Sequence, residues 1–300
     1  MQINSFIAES VIEKLALGTV QFGLAYGIAN QQGQVTETEV NSILDLASAN
    51  GINTLDTAIA YGESEKVLGK MPLNGFEIIT KLPSVPDNCR DVLGWVEQEL
   101  EASFLRLNVS SLNGLLLHRP EQLTGNVGKQ LYQALQQKKQ EGIVKRIGIS
   151  IYSPDELSGL ADKFHFDLIQ APLNIIDRRL QESGWLKKLS LSGTQIHVRS
   201  VFMQGLLLMS SAARPEKFNR WSSLWATWDE WLKTTGLTPL QACLRHALAI
   251  PEVEKVVVGV DSSAQLNEIL QAAKGRCTEP PAELACSDIK LLNPSLWSHL

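Results

Sequence analysis

The chain has 300 residues, 44% of them hydrophobic and 20% charged, enough to bury one large core in a single domain. A formal net charge of -5 gives no electrostatic reason to bind nucleic acid or an acidic lipid surface. No apolar run approaches the roughly 18 residues of a membrane helix, and Met1-Gln2-Ile3-Asn4-Ser5-Phe6 lacks the basic start of a leader, so a cytoplasmic protein without a membrane partner is expected.

Short β-branched runs alternate with longer amphipathic segments, the pattern of repeated βα units and a parallel sheet. The first strand is predicted at residues 15–19, followed by the glycine-bearing loop Gly18-Thr19-Val20-Gln21-Phe22-Gly23. Thr36-Glu37-Thr38-Glu39 reads as a capping box, and Val40, Ile43, Leu44 and Ala47 give the helix behind it an apolar face that Asn50-Gly51 ends. A strand runs into Asp56, and the turn through Tyr61 and Gly62 feeds a short helix from Ser64. Further strands lead into Lys81 and His118, then comes a helix over residues 127–141, closed by Gly142. Strands at 145–149, 166–170 and 195–201 follow, stopping at Ser150-Ile151, Gln170 and Arg199-Ser200.

Trp221, Trp225, Trp228 and Trp231 come next, three of them on one helical face, which reads as packing against the barrel wall or as a lining for the substrate mouth. A helix over 238–249 precedes the last strand, 253–258, and the turn Gly259-Val260-Asp261-Ser262. The tail, 277–300, carries Pro280-Pro281 and a predicted helix at 282–292, with a tip, Trp297 to Leu300, that could approach the substrate opening. Cys89, Cys243, Cys277 and Cys286 have no paired short spacing, which argues against a zinc site or a disulfide framework. The fold this predicts is an α/β barrel, (β/α)8, occupying residues 1–300 as one domain with the tail packed on it.

Asp56, Lys81 and His118 each stand where a buried apolar run stops, and the carboxyl ends of barrel strands open onto one face that carries chemistry. A cation beside a phenol makes it a readier proton donor, which is the part Lys81 would play for Tyr61. Asp56 would keep that ammonium charged and in place. His118 adds a second donor, and two donors aimed at one oxygen suit a carbonyl becoming an alkoxide.

Asp56-Thr57-Ala58 with Tyr61-Gly62 and Ser64-Glu65, then Ile79-Thr80-Lys81, then Leu117-His118, resembles the aldo-keto reductase family over residues 15–270. The resemblance implies an eight-stranded barrel reducing aldehydes and ketones with NAD(P)H and without metal, Asp56, Tyr61, Lys81 and His118 forming the catalytic quartet. It also implies a cofactor set of Gly18, Thr19, Ser150, Gln170, Arg199, Ser200, Gly259, Asp261, Ser262 and Gln265. Four positions depart from the family pattern: Ile151, Arg199, Asp261 and Ile269. Ile151 stands where an asparagine usually holds the nicotinamide carboxamide, leaving Gln170 for that task, and Ile269 replaces a frequent asparagine. Arg199 replaces an aromatic residue, and could stack on the nicotinamide, pair with the pyrophosphate, or ion-pair with Asp56 or another carboxylate at the mouth.

In relatives the segment after the last strand binds the adenosine 2′-phosphate with a basic residue. Here Asp261 occupies that place and no Lys or Arg occurs between Gly259 and Gln271. An aspartate repels a phosphate and accepts from a free ribose hydroxyl, so NADH, or mixed use, is favoured over strict NADPH. The expected protein is a monomer or weak oligomer that reduces a small-molecule carbonyl compound. A dinucleotide-binding regulator with little turnover and a phosphosugar isomerase are the alternatives.

Overall fold

The computed structural model describes residues 11–28, 30 and 32–300. Its centre is a closed barrel of eight strands in chain order: β1 (Leu15–Gly18), β2 (Thr54–Asp56), β3 (Glu77–Leu82), β4 (Gly114–Leu117), β5 (Ile147–Ser150), β6 (Leu168–Pro172), β7 (Gln195–Arg199) and β8 (Lys255–Gly259). Every neighbouring pair is parallel, and β1 closes on β8 from Leu15↔Val256 to Gly18↔Gly259. Helices cover the outside, so most strand residues are buried on both faces, which is why these runs read as nearly continuous apolar sequence.

The strand period of two positions the site. Ile79, Leu116 and Leu168 form a small apolar cluster separate from the main core. Two residues further along the same strands come Lys81, His118 and Gln170, which therefore form a polar layer just beyond that apolar one.

The outer helices follow their predicted faces. The helix Glu37–Ala49 buries Val40, Ile43, Leu44 and Ala47, and the Thr36 hydroxyl accepts from the Glu39 amide. Only this half of the expected capping box forms. The Glu39 carboxylate turns away and accepts from the Ser263 amide, at the start of the helix Ser263–Ala272.

Some boundaries differ from expectation. The seventh strand stops at Arg199, because Ser200 takes a left-handed backbone, φ 62°. Trp221 precedes the helix Ser222–Thr235, and within it Trp225 and Trp228 are buried against the core, which decides for packing. The tail does not form one helix over 282–292; it makes the short turns Ala282–Leu284 and Ile289–Leu292. Leu284, Leu291 and Trp297 are buried, and the Trp297 ring meets Phe218 edge-on at 5.0 Å. Among the described residues, no helix is long and apolar enough to cross a membrane.

Candidate active site

Lys81 is 1% exposed and Asp56 is 3% exposed, so neither charge could stand alone. The Lys81 Nζ donates to Asp56 Oδ1 and Oδ2 at 2.8 and 2.7 Å, to the Thr57 carbonyl at 3.0 Å and to the Tyr61 hydroxyl at 3.4 Å. Burial works to lower the Lys81 pKa, but Asp56 and Tyr61 outweigh it and hold the group above its ordinary value. The Tyr61 and His118 rings meet edge to face, centroids 5.8 Å apart. Burial first, then the charges of Lys81, Arg199 and Arg119, pushes the His118 imidazole down to about 3. Neutral at ordinary pH, it offers one N–H.

Close packing of two loops fixes the tyrosine. Gly23 lies against the Tyr61 backbone so tightly that an added Cβ would stand 1.9 Å from the Tyr61 carbonyl. The Ser64 hydroxyl donates to the Thr19 carbonyl at 2.9 Å and lies 3.1 Å from that of Thr57. Behind it, the buried Glu65 carboxylate accepts from Thr80 and Ser103 at 2.7 Å and from Arg106 at 2.8 Å. Of these supports, Thr57, Ser64, Glu65 and Thr80 stood within the family motif, whereas Ser103 and Arg106 carried no signal in the sequence.

A cleft of roughly 630 Å3 opens above the quartet, with Asp56, Tyr61 and His118 on one wall and Gly259, Asp261 and Gln265 on another. The family profile of the Aldo/keto reductase family matches residues 14–280. The chain belongs to the aldo/keto reductase family. It is an oxidoreductase of that family, similar to D-threo-aldose 1-dehydrogenase of a Pseudomonas species, with 29% identity covering 90% of this chain and 93% of the relative. L-galactose dehydrogenase of Arabidopsis thaliana is 25% identical, covering 86% and 85%. In fold it matches the holo form of an aldo-keto reductase from Bacillus halodurans, TM-score 0.70, 21% identity, 89% and 88% covered. A glycerol dehydrogenase from Gluconobacter oxydans gives TM-score 0.69 at 22% identity, with 88% of each chain covered.

In this aldo/keto reductase, Gly18, Thr19, Arg199, Ser200, Gly259, Asp261 and Gln265 all line the cleft. Ser262 instead borders a smaller neighbouring hollow beside Glu39. Ser150 and Gln170 are buried behind the wall: Gln170 Nε2 donates to Asp56 Oδ1 at 2.6 Å, and Ser150 donates to Gln170 Oε1 at 3.2 Å. Gln170 therefore holds the carboxylate that holds the lysine. An Arg199–Asp56 ion pair, one of the readings left open for this residue, is not formed: Lys81 and Gln170 already occupy Asp56. Arg199 instead donates to the Ile151 carbonyl at 2.9 Å and to Ser200 Oγ at 3.2 Å, with its guanidinium 4.6 Å from the Tyr152 ring centre.

The loop after β7 was not foreseen. Ser200, Met203, Gln204 and Gly205 all have positive φ, 62°, 46°, 54° and 93°. Left-handed backbone at three non-glycine residues costs energy and concentrates at functional sites, and such turns can aim successive amides at an anion. Of the predicted tip, Trp297 is buried and no residue from 297 to 300 lines the cleft; Pro294 and Ser295, just before it, do.

Proposed function

We propose that the protein reduces an aldehyde or ketone to an alcohol with a reduced nicotinamide dinucleotide, Tyr61 acting as the acid. The observation that carries this reading is the Asp56–Lys81–Tyr61 chain of contacts ending beside His118 on the wall of one cleft. The cleft suits the cofactor. Gly18 and Gly259 pair side by side without side chains, and a Cβ on Gly259 would stand 2.4 Å from the Gln21 amide. The Gln21 Oε1 is buried without a protein partner among the described residues, an acceptor open to a ligand hydroxyl or amide.

When bound, the dinucleotide supplies a hydride equivalent to the carbonyl carbon. Tyr61 gives its proton to the carbonyl oxygen, so that carbonyl compound, reduced dinucleotide and one proton become alcohol and oxidised dinucleotide. Lys81 stabilises the phenolate left behind, and Asp56, steadied by Gln170, keeps Lys81 charged. Neutral His118 donates its N–H to the same oxygen and fixes the direction of the carbonyl. Gly18, Thr19, Ser200 and the turn through Gly205 line the dinucleotide, with Gly259, Asp261 and Gln265 at its far wall.

The same reading favours NADH, or mixed use, over strict NADPH. A helix start after the last barrel strand is a natural phosphate site. Here the Ser263 amide is taken by Glu39 and the Gln265 amide by Ser262, and Asp261 stands at the entrance, held by Asn30 at 3.2 Å. An added phosphate would meet two carboxylates.

Fluorescence titration with NADH and NADPH, run beside oxidation rates for a panel of aldehydes, tests the whole reading. Turnover abolished by Tyr61→Phe with binding retained supports it. Tight dinucleotide binding without turnover of any carbonyl would move the protein to a regulatory role.

A further inference from the structure

The reacting end of the cleft carries more positive charge than it neutralises. Lys81 is answered by Asp56. Arg199, at the end of β7, lines the cleft with Tyr61, His118 and Tyr152 and makes no ion pair among the described residues. Of its five N–H groups, two donate among the described residues, to Ile151 and Ser200. Arg119, next to His118 and exposed outside the cleft lining, lies 5.7 Å from the centre of the same Tyr152 ring and is likewise without an ion pair among the described residues. Both arginines act on His118, which is part of why its imidazole stays neutral.

The neighbouring carboxylates do not answer this charge. Glu156 accepts from the Tyr152 and Ser153 amides at 2.7 Å, and Asp155 from the Ser153 hydroxyl at 3.0 Å. Asp177 is spent on Arg179. Asp261 and Glu268 belong to the wall after β8. A partly buried guanidinium held 4.6 Å from the centre of an aromatic ring, with donors left over, is built to receive an anionic oxygen group.

From this we infer that the carbonyl substrate carries a negative group, a carboxylate or phosphate, that pairs with Arg199 while its carbonyl faces Tyr61 and His118. Arg119 reinforces the field across Tyr152. This inference rests on the carbonyl-reducing reading, and it separates the substrate from the neutral sugars named in two relatives.

Matched pairs test it: succinic semialdehyde against butanal, and glyceraldehyde 3-phosphate against glyceraldehyde, with kcat and KM measured for each. The anionic member should be preferred by about 10- to 100-fold in kcat/KM, the worth of one charge-assisted hydrogen bond. Arg199→Gln should remove that preference through KM, Arg199→Lys should restore part of it, and Arg119→Gln should weaken it less. NADH affinity, read by fluorescence, should be unchanged in all three. Equal use of neutral and charged substrates overturns the inference. So does a loss of NADH affinity in Arg199→Gln with the preference intact, which would assign Arg199 to the pyrophosphate. Succinate binding to the NADH-loaded protein needs no turnover. Saturable binding lost in Arg199→Gln supports the anion site even if the carbonyl reading fails, and its absence overturns the site.

Discussion

Lys81 donates to both oxygens of Asp56, at 2.8 and 2.7 Å, while standing 3.4 Å from the Tyr61 hydroxyl. One buried ammonium thus links a structural ion pair to the proposed proton donor. Removing the carboxylate with Asp56→Asn strands that cation, which should cost about 3–5 kcal/mol of stability. Urea unfolding would measure this. The double variant Asp56→Asn with Lys81→Met should be more stable than Asp56→Asn alone, since no buried charge is then left unpaired.

Tyr61→Phe removes the hydroxyl, with its proton and its 3.4 Å contact to Lys81, and leaves the ring against His118. Carbonyl reduction should fall by about 10²- to 10⁴-fold, and NADH affinity should stay at the wild-type value. Steady-state kinetics with fluorescence titration would separate the two. A variant that keeps full activity would remove Tyr61 from the mechanism.

Cofactor choice should respond to the carboxylates after β8. Glu39→Gln removes the charge from the Ser263 amide, and Asp261→Arg reverses the charge at the cleft wall. Together they should improve NADPH affinity relative to NADH by about tenfold or more, on the scale of one to two ion-pair contacts. Unchanged ratios would show that the ribose phosphate, if present, points elsewhere.

Acid should destabilise the fold through its histidines. Burial first, aided by nearby cations, holds His118 at about 3, His197 at about 3 and His246 at about 4, all below the ordinary 6.5. The unfolded chain takes up these protons near its ordinary value, whereas the folded chain refuses them until far lower pH. The stabilisation is therefore complete above pH 6.5 and is lost as the pH falls from there towards 3. Urea midpoints followed downward from neutral pH should decline over that window, and His197→Gln should flatten the decline. A flat profile would contradict the burial of these rings.

Much of this was readable in advance because barrel strands place function at their ends. Asp56, Lys81 and His118 stood out as polar residues closing apolar runs; the structure sets buried Lys81 against Asp56 and Tyr61, and Asp56, Tyr61 and His118 line one cleft. What stayed hidden depended on contacts between distant segments. Gln170 looked like a cofactor contact, yet its amide reaches Asp56, 114 residues away. Glu39 looked like half of a local capping box, yet it serves a helix start 224 residues later. Asp56 was one of several partners open to Arg199, but Lys81 had already claimed it, and short-range patterns cannot rank competitors for one carboxylate. The tail misled for another reason: its apolar spacing fits a helix, but Leu284, Leu291 and Trp297 are anchored one by one, with turns between.

Gly18 and Gly259 lie side by side only because the eighth barrel strand docks on the first. Asp56, Tyr61, Lys81 and His118 are all synthesised before that seam can shut, so a nascent chain holds the four proposed reactive side chains ahead of the cleft proposed to seat the dinucleotide. Translation interrupted before β8 would leave products that carry those four side chains under an open barrel.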